Sequence, residues 1–263
     1  MKRGLIVYNA SDANKNRWFI DKCAKELNSG EFSLLFLLEE DALEYINNHE
    51  IDYVIYRGRN HQIVESFEKK GIRVFNNALT NKTANNKLLT YVFAKDNGIA
   101  SVESFTSFES IDKPFIMKSV SGHGGNEVFL INDASEIKNH LSDNPSLTFI
   151  YQKYLDIDGD VRLYIIKNRF IAAVKRSNNK DYRSNFSLGG EVQLVEPPQS
   201  IIDVALKLSK LLNADFIGVD FFKIKDQYLL NEIEDPVGSR MLYKLTDIDI
   251  IHEFIEYIKK SLV

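Results

Sequence analysis

One stretch near the end of the chain, residues 216–242, limits what the protein can fold into more than any other. Two apolar runs, residues 216–224 and 228–233, flank a short polar segment that contains Asp226. Apolar runs separated by a few polar residues are typical of an antiparallel hairpin with its turn in the polar segment. The sequence therefore predicts a two-stranded hairpin that turns near Asp226.

Three carboxylates fall on one face of this predicted hairpin. Folding at the turn sets Asp220 roughly opposite Glu232, and Glu234 follows on the same face because side chains alternate along a strand. Like charges that face each other across a sheet destabilise it, so this face is either well solvated or neutralised by a cation. We favour a metal site, because Mg2+ binds a few carboxylate oxygens and shares its other positions with water and phosphate oxygens.

The amino-acid composition limits which classes of molecule the protein can bind. The chain has 263 residues, 44% of them hydrophobic, which suits one large domain or two smaller ones with well-formed cores. A net charge of −4 argues against a binder of nucleic-acid backbone, which needs a basic excess. Cys23 is the single cysteine, the N-terminus does not read as a signal peptide, and no apolar run reaches the length of a membrane span. We therefore expect a cytoplasmic protein with no nucleic-acid or membrane partner.

The first 76 residues alternate short apolar runs with helical patterns. The strand-like runs are residues 4–9, 32–38, 53–56 and 72–75. Strands that alternate with helices form a parallel sheet covered on both faces. No GxGxxG pattern follows the first run, so a dinucleotide site is not expected there. The sequence thus predicts a small N-terminal α/β domain over residues 1–76.

Three further helices are predicted in the rest of the chain, and the last of them closes the chain over residues 247–261. The first covers about residues 83–97, with Thr83 as its N-cap and Gly98 as its terminator. Lys87 lies in it and is read either as a surface lysine or as a cation of a binding site. The second helix covers residues 199–213, has Val204, Leu208 and Leu211 in register, and leads directly into the acidic hairpin.

A glycine-rich turn connects two predicted strands in the middle of the chain. Gly122, Gly124 and Gly125 follow a strand that carries Lys118, so backbone amides and an ammonium group can approach a phosphate together. The turn differs from a P-loop, which leads into a helix and ends in GK[ST]. An ordinary flexible turn is the alternative, and His123 is interpreted as an exposed loop residue.

Four basic residues gather at and after a predicted hairpin over residues 161–175, namely Arg162, Lys175, Arg176 and Arg183. Basic residues of this kind usually form a surface exposed to water. The alternative, in this acidic chain, is that they bind an anion. A carboxylate trio, a glycine turn beside a lysine and an arginine cluster are together what an enzyme needs to hold a nucleoside triphosphate.

The order of these motifs resembles the ATP-grasp superfamily, and within it the RimK-like carboxylate-amine ligases. The resemblance runs from about Asn76 to the C-terminus, through the segments PFIMKSVSGHGGNEVFLI, DVR, YRSN, FIGVDFFKI and LLNEIEDPVG. It implies a fold of mixed α/β and α+β class, with a small parallel N-terminal domain followed by an ATP-grasp fold. The ATP-grasp part, residues 77–263, is expected to clasp the nucleotide between a flap-bearing subdomain (about 77–150) and a metal-bearing subdomain (about 151–263).

The resemblance also implies roles for individual residues. Those matching ATP contacts are Lys87, Lys118, Gly122, Gly124, Gly125, Gln152, Lys153, Tyr154, Leu155, Asp160 and Lys175. Those matching catalytic residues near the transferred phosphate are Arg162, Arg176, Arg183 and Asn185. Those matching ligands of Mg2+ or Mn2+ are Asp220, Glu232 and Glu234. Two positions depart from the usual pattern: Glu234 stands where an asparagine is usual, and Lys153 where a glutamate is usual.

The implied reaction is ATP-dependent formation of an amide or peptide bond through an acyl phosphate, with ADP and phosphate released. The implied partners are a small-molecule or peptide carboxylate and an amine, and relatives often form homo-oligomers. Two alternatives stay open, namely a kinase on the same fold and a nucleotide-binding regulatory module without turnover.

Overall fold

The computed structural model describes residues 1–125, 127–177 and 191–263. This part of the chain contains ten helices and thirteen strands. The strands form one parallel and two antiparallel sheets. None of the helices in it combines the length and the apolar content that a bilayer crossing requires.

The N-terminal sheet is parallel, as predicted, with the strand order β2-β1-β3-β4. Its strands are β1 (Lys2–Tyr8), β2 (Phe32–Leu38), β3 (Tyr53–Tyr56) and β4 (Arg73–Phe75). Its helices are α1 (Ala10–Lys15), α2 (Arg17–Leu27), α3 (Glu39–Asn48) and α4 (His61–Lys69). Apolar side chains fill both faces of β1 and β3, which is why these strands read as uninterrupted hydrophobic runs.

The two faces of this sheet are covered by different parts of the chain. Leu5 and Val7 pack in a cluster with α3 and α4, whereas Ile6 and Tyr8 pack in a cluster that includes Cys23 of α2. The second cluster also takes in the apolar face of α10 (Ile250–Leu262), including Phe254. The last helix therefore completes the core of the first sheet, and the domain boundaries at residues 76 and 150 stay predictions.

The middle of the chain forms an antiparallel sheet with the order β5-β8-β6-β7. Its strands are β5 (Ser104–Phe105), β6 (Phe115–Ser119), β7 (Val128–Ile131) and β8 (Phe149–Lys153). The same stretch of the chain contains three helices, α5 (Ala78–Ala84), α6 (Lys87–Asp96) and α7 (Ala134–Asp143), of which α7 packs against β7. The glycine turn lies between β6 and β7, as the sequence predicted.

The predicted N-cap Thr83 is wrong, because this residue lies inside α5. Asn86 caps the next helix instead, its side chain accepting a hydrogen bond from the backbone N–H of Leu89 at 2.9 Å. Asn85 ends α5, so two consecutive asparagines, whose side chains compete for backbone partners, divide the expected helix in two. Gly98 follows the second helix with φ +65°, which fits the predicted terminator.

The C-terminal part forms a second antiparallel sheet with the order β11-β10-β9-β12-β13. Its strands are β9 (Gly159–Ile166), β10 (Arg169–Ser177), β11 (Glu191–Val195), β12 (Phe216–Ile224) and β13 (Gln227–Glu234). Two helices precede α10, namely α8 (Gln199–Leu212) and α9 (Arg240–Leu245). The side of α8 that faces the sheet buries Ile201, Ala205, Leu208 and Leu212. The predicted register was wrong for Leu211, which is 41% exposed.

The acidic hairpin forms with the predicted register. Asp220 stands opposite Glu232, and the turn between β12 and β13 contains Lys225 and Asp226. The register then shifts, so that Phe221 pairs with Leu230. This β-bulge leaves Asn231 as an extra residue on β13, and such bulges can aim a side chain out of the regular pleat.

Candidate active site

The acidic trio comes together at the end of the hairpin. Carboxylate oxygens of Asp220, Glu232 and Glu234 lie within 4.8 Å of one another. Asp220 is fully buried, whereas the two glutamates are half-buried. Three oxygen ligands at this spacing can share one hard divalent cation, so the donor set fits Mg2+ or Mn2+. The metal-binding role itself stays a prediction.

Two buried arginines neutralise this acidic face. Arg162 on β9 donates to both carboxylate oxygens of Asp220, from Nε at 2.7 Å and from Nη2 at 2.6 Å, and to Glu234 at 2.7 Å. Arg176 on β10 binds Asp220 and, at 2.8 Å, Asp160. Repulsion alone therefore does not require a cation here, contrary to the argument from sequence. The case for a metal depends on the convergence of the carboxylates and on the phosphate site beside them.

Burial and neighbouring charges shift the pKa values of these acids in opposite directions. Burial would raise the pKa of Asp220, but Arg162 and Arg176 outweigh it and hold that pKa below its ordinary value. Burial, reinforced by the charge of Glu234, raises the pKa of Glu232 to about 7. Asp160 has its pKa raised to about 6, chiefly by burial. A cation at the trio would favour the ionised form of Glu232.

A cleft of about 840 Å³ adjoins the trio. We call it the nucleotide cleft, and its walls include Lys87, Lys118, Gly122, Gly124, Gly125, Gln152, Lys153, Tyr154, Leu155, Asp160, Asn231 and Glu232. These walls contain every residue predicted to contact ATP except Lys175. The side-chain Nε2 of Gln152 donates one hydrogen bond to Oγ of Ser104 at 2.8 Å.

Both predicted phosphate-contacting lysines reach this cleft. Lys118 on β6 is 7% exposed, and its Nζ donates to Oδ1 of Asn231, the bulge residue, at 3.1 Å. Burial lowers the pKa of Lys118 to about 8, opposed by the charge of Glu232. Lys87 is the first residue of α6, and its ammonium group donates to the carbonyl of Gly122. The cleft therefore brings two cations and the glycine turn to one place.

The glycine turn forms the outer wall of the cleft. Gly124 and Gly125 have φ values of +69° and +78°, a region that residues with a side chain rarely adopt. His123 is exposed, as expected for a loop residue, and it lines this cleft and a second one beside it. Partial desolvation of the imidazole and the nearby charge of Arg59 hold the pKa of His123 below its ordinary value.

Among the described residues, Lys175 is the one predicted site residue that lies neither in the cleft nor in the acidic cluster. Lys175 precedes Arg176 on β10, and because side chains alternate along a strand, it faces the opposite side of the sheet from the acidic cluster. Its neighbour Ala173, on that same opposite side, packs in the cluster formed with α8. Arg183 and Asn185 lie outside the described residues, and their roles stay predictions.

A second cleft, open to solvent, lies between the first sheet and the acidic cluster. We call it the arginine cleft, and its walls include Tyr8, Asp12, Trp18, Arg57, Arg59, His123, Arg162, Arg176, Glu234, Ser239 and Arg240. The sequence analysis missed the part that the N-terminal residues contribute. A usable signal was present in Arg57-Gly58-Arg59 after the buried strand β3, because ligands of parallel sheets bind at the carboxyl ends of the strands.

The architecture matches solved ATP-grasp ligases. It is similar to the D-alanine–D-alanine ligase of Bacillus anthracis complexed with ATP, with a TM-score of 0.74 and 15% identity over 99% of each chain. At that identity the likeness establishes the fold, which is the predicted one.

Sequence comparison gives the family. The family model of the RimK-like ATP-grasp domain matches residues 81–258, and the chain belongs to this family of ATP-grasp ligases, which form carbon–nitrogen bonds. The chain is 30% identical to the uncharacterized protein MG011 of Mycoplasma genitalium, over 100% of this chain and 97% of that one. It is 22% identical to the alpha-aminoadipate–LysW ligase LysX of Sulfurisphaera tokodaii, over 93% of this chain and 96% of that one. The resemblance stated from the motifs is thereby confirmed.

Proposed function

We propose that the protein joins a carboxylate to an amine through an acyl phosphate, consuming ATP and releasing ADP and phosphate. One observation supports this most strongly, namely that the acidic trio stands between the two clefts. Glu232 lines the nucleotide cleft, whereas Glu234 and Arg162 line the arginine cleft. A γ-phosphate held in the first cleft would therefore point toward a carboxylate held in the second.

In the first step, a carboxylate oxygen of the substrate attacks the γ-phosphorus, the bond to the bridging oxygen breaks, and ADP leaves. Lys87 and Lys118 hold the phosphate oxygens, and Arg162 and Arg176 compensate negative charge at the border of the clefts. Asp220, Glu232 and Glu234 would hold Mg2+, which would supply further neutralisation of the phosphate charge.

In the second step, the lone pair of a neutral amine attacks the acyl carbon. The carbon–oxygen bond to the phosphoryl group breaks, inorganic phosphate leaves with the electron pair, and the extra proton of the nitrogen passes to this phosphate. Among the described residues, no nucleophilic cysteine or serine needs to be invoked, because positioning and electrostatic stabilisation supply the catalysis. The glycine turn with His123 covers the border of the clefts and would shield the acyl phosphate from water.

The substrate classes follow from the openness of the arginine cleft and from the relatives. LysX is named for joining alpha-aminoadipate to LysW, and we propose that this chain likewise accepts a small-molecule or peptide substrate. We also propose a cytoplasmic location, supported by the use of ATP and by the buried Cys23, which is a free thiol. Assembly into a homo-oligomer stays a prediction.

The decisive experiment is a screen for ADP release over pairs of carboxylates and amines, with the products identified by mass. A substrate labelled with 18O in its carboxylate is expected to transfer one label to inorganic phosphate, because that oxygen bridges carbon and phosphorus in the intermediate. A phosphorylated product without an amide would favour the kinase. Binding of ATP without ADP release for any pair would favour the regulatory module.

A further inference from the structure

The ammonium group of Lys118 is buried without a carboxylate partner. Lys118 is 7% exposed and, among the residues that the structure describes, forms no ion pair. Burying a charge costs free energy unless a group of opposite charge compensates it. The buried Arg162 and Arg176, by contrast, each contact two carboxylates. The groups that hold Lys118 therefore decide whether its charge stays available to a ligand.

Two side chains of the acidic hairpin hold this ammonium group. Its Nζ donates to Oδ1 of Asn231 on β13 at 3.1 Å and lies 5.3 Å from the ring centroid of Phe222 on β12. Both neighbours are electrically neutral, since the amide offers an oxygen acceptor and the ring offers the negative face of its π-system. An ammonium group has three N–H donors, so the bond to Asn231 leaves it capacity for phosphate oxygens.

The hydrogen bond connects the two antiparallel sheets. Lys118 belongs to β6, whose backbone pairs with β7 and β8, whereas Asn231 belongs to β13 of the other sheet. The two residues are 113 positions apart along the chain, and both line the nucleotide cleft. The sheet that carries the acidic trio thus helps to set where the ammonium group of the other sheet lies.

The β-bulge explains how Asn231 comes to lie in the cleft. Consecutive side chains of a regular strand face opposite sides, yet Asn231 and Glu232 both line the nucleotide cleft. The register shift between Asp220 and Phe221 makes Asn231 the extra residue of β13, and bulges of this kind re-aim a side chain next to active sites. The hairpin thereby offers two different oxygens to one cleft, a carboxylate suited to a cation and a neutral amide suited to a lysine.

The neutrality of Asn231 matters because Glu232 is close by. Glu232 is the carboxylate that does most to raise the pKa of Lys118 against the effect of burial. A direct ion pair between the two would draw the ammonium group away from a phosphate and the carboxylate away from a cation. In the described structure, Lys118 is hydrogen-bonded to Asn231 instead.

We propose that Asn231 is a positioning residue that holds the ammonium group of Lys118 ready for the phosphates of ATP and keeps it from pairing with Glu232. The role of Lys118 toward phosphate rests on the proposed function. The action of Asn231 through Lys118 is measured on nucleotide binding alone and requires no turnover.

The test is a double-mutant cycle, measured by calorimetric titration of the full chain with ATP in the presence of Mg2+. Asn231→Ala is expected to weaken ATP binding by about 3- to 10-fold, the range expected for the loss of one hydrogen bond. In a Lys118→Met background, which has no ammonium group to hold, the same substitution should change the affinity by less than about 1.5-fold. Asn132→Ala, at an exposed position after β7, is the matched control and should keep the wild-type affinity.

Three results would overturn the inference: no ATP binding by the wild-type protein, an unchanged affinity in Asn231→Ala, or an equal loss in the Lys118→Met background. An equal loss in Asn132→Ala would also overturn it, because the effect would then not depend on the cleft. A merely structural Asn231 would lower the unfolding temperature and would weaken ATP binding by the same factor in both backgrounds. If Asn231→Ala does not fold, Asn231→Leu replaces it in the same cycle, because leucine is of similar size and offers no acceptor.

The two proposals fail separately. A loss of ATP affinity that disappears in the Lys118→Met background, in a protein that forms no amide, would retain this inference and reject the ligase. Amide formation with equal losses in both backgrounds would do the opposite.

Discussion

Arg162 and Asp220 stand opposite each other on neighbouring strands β9 and β12 and are joined by two parallel hydrogen bonds of 2.7 Å and 2.6 Å. Arg176 also binds Asp220, so one buried carboxylate serves two guanidinium groups. An ionised carboxylate offers about four lone-pair positions, which leaves Asp220 capacity for a cation. Asp220 therefore has two roles at once, since it neutralises the arginines and completes the trio with Glu232 and Glu234.

These two roles determine which substitution tests the metal site. We expect Glu232→Gln to lower turnover at saturating ATP by about 100-fold or more and to weaken the dependence on Mg2+, because a ligand oxygen and its charge are lost. The unfolding temperature should stay nearly unchanged, because Glu232 pairs with neither arginine. ADP release at graded Mg2+ and thermal unfolding measure the two effects, and full activity in Glu232→Gln would rule out the site.

Asp220→Ala should behave differently from Glu232→Gln. Removing this carboxylate leaves Arg162 with Glu234 and Arg176 with Asp160, and deprives both of a shared buried partner. Breaking a buried pair in this way costs about 3–5 kcal/mol. Chemical denaturation should show the loss, and an Asp220→Ala protein as stable as the wild type would contradict the charge balance described above.

The two lysines Lys118 and Lys175 provide a matched test of the nucleotide cleft. Lys118→Gln should weaken ATP binding by about 10- to 100-fold, because a charge-assisted contact to phosphate is worth about 1.5–3 kcal/mol. Lys175→Gln should change it by less than about twofold, since this residue faces the other side of the sheet. Equilibrium titration with ATP measures the affinity of both variants. An equal loss of affinity in Lys118→Gln and Lys175→Gln would show that Lys175 reaches the nucleotide.

Helix α8 offers a test of packing within one element. Leu208 is fully buried against the sheet, whereas Leu211 is 41% exposed. Leu208→Ala should lower the free energy of unfolding by about 2–5 kcal/mol, because it removes buried methyl groups and leaves a cavity. Leu211→Ala should change it by less than about 0.5 kcal/mol. Similar losses in urea denaturation would mean that the helix is rotated from the described position.

A surface pair should make stability depend on pH. The hydrogen bond from His252 to Glu26, 2.8 Å long, raises the pKa of His252 above its ordinary value. Because the pKa of His252 is higher in the folded state, the pair stabilises the fold fully at pH values below the pKa of the unfolded state, about 6.5. This stabilisation is lost as the pH rises through the pKa of the folded state. His252→Ala should therefore lower stability by about 0.5 kcal/mol at pH 5.5, a small effect because the pair is solvent-screened.

The same substitution should have almost no effect at pH 8.5. The other charges that face His252 are Asp249 and Glu256, and both act in the same direction as Glu26. Glu256→Gln, at another exposed position near His252, is the matched control. It should change the pH dependence of stability less than His252→Ala does. A difference between wild type and His252→Ala that grows as the pH rises would contradict the assignment.

The local pattern of the sequence was enough to predict those elements that pair with a neighbour close along the chain. The acidic hairpin has two strands joined by a short turn, so alternation alone predicted that Asp220 faces Glu232. The glycine turn followed from the same kind of short-range signal, because Gly124 and Gly125 supply backbone conformations that other residues avoid. The parallel sheet followed from regular alternation of strands and helices.

Only the tertiary structure decided how the charges are paired. Arg162 and Arg176 reach Asp220 from strands 58 and 44 positions away along the chain, and no local pattern records such a distance. The burial of Arg57 likewise depends on a contact with Val237 that spans 180 positions, although its place after β3 was a usable signal for a ligand site. A sequence shows which groups carry charge, whereas burial and partners depend on the whole fold. For this reason the sequence could predict residues of the nucleotide cleft, whereas the walls of the arginine cleft, which come from distant parts of the chain, were decided by the tertiary structure.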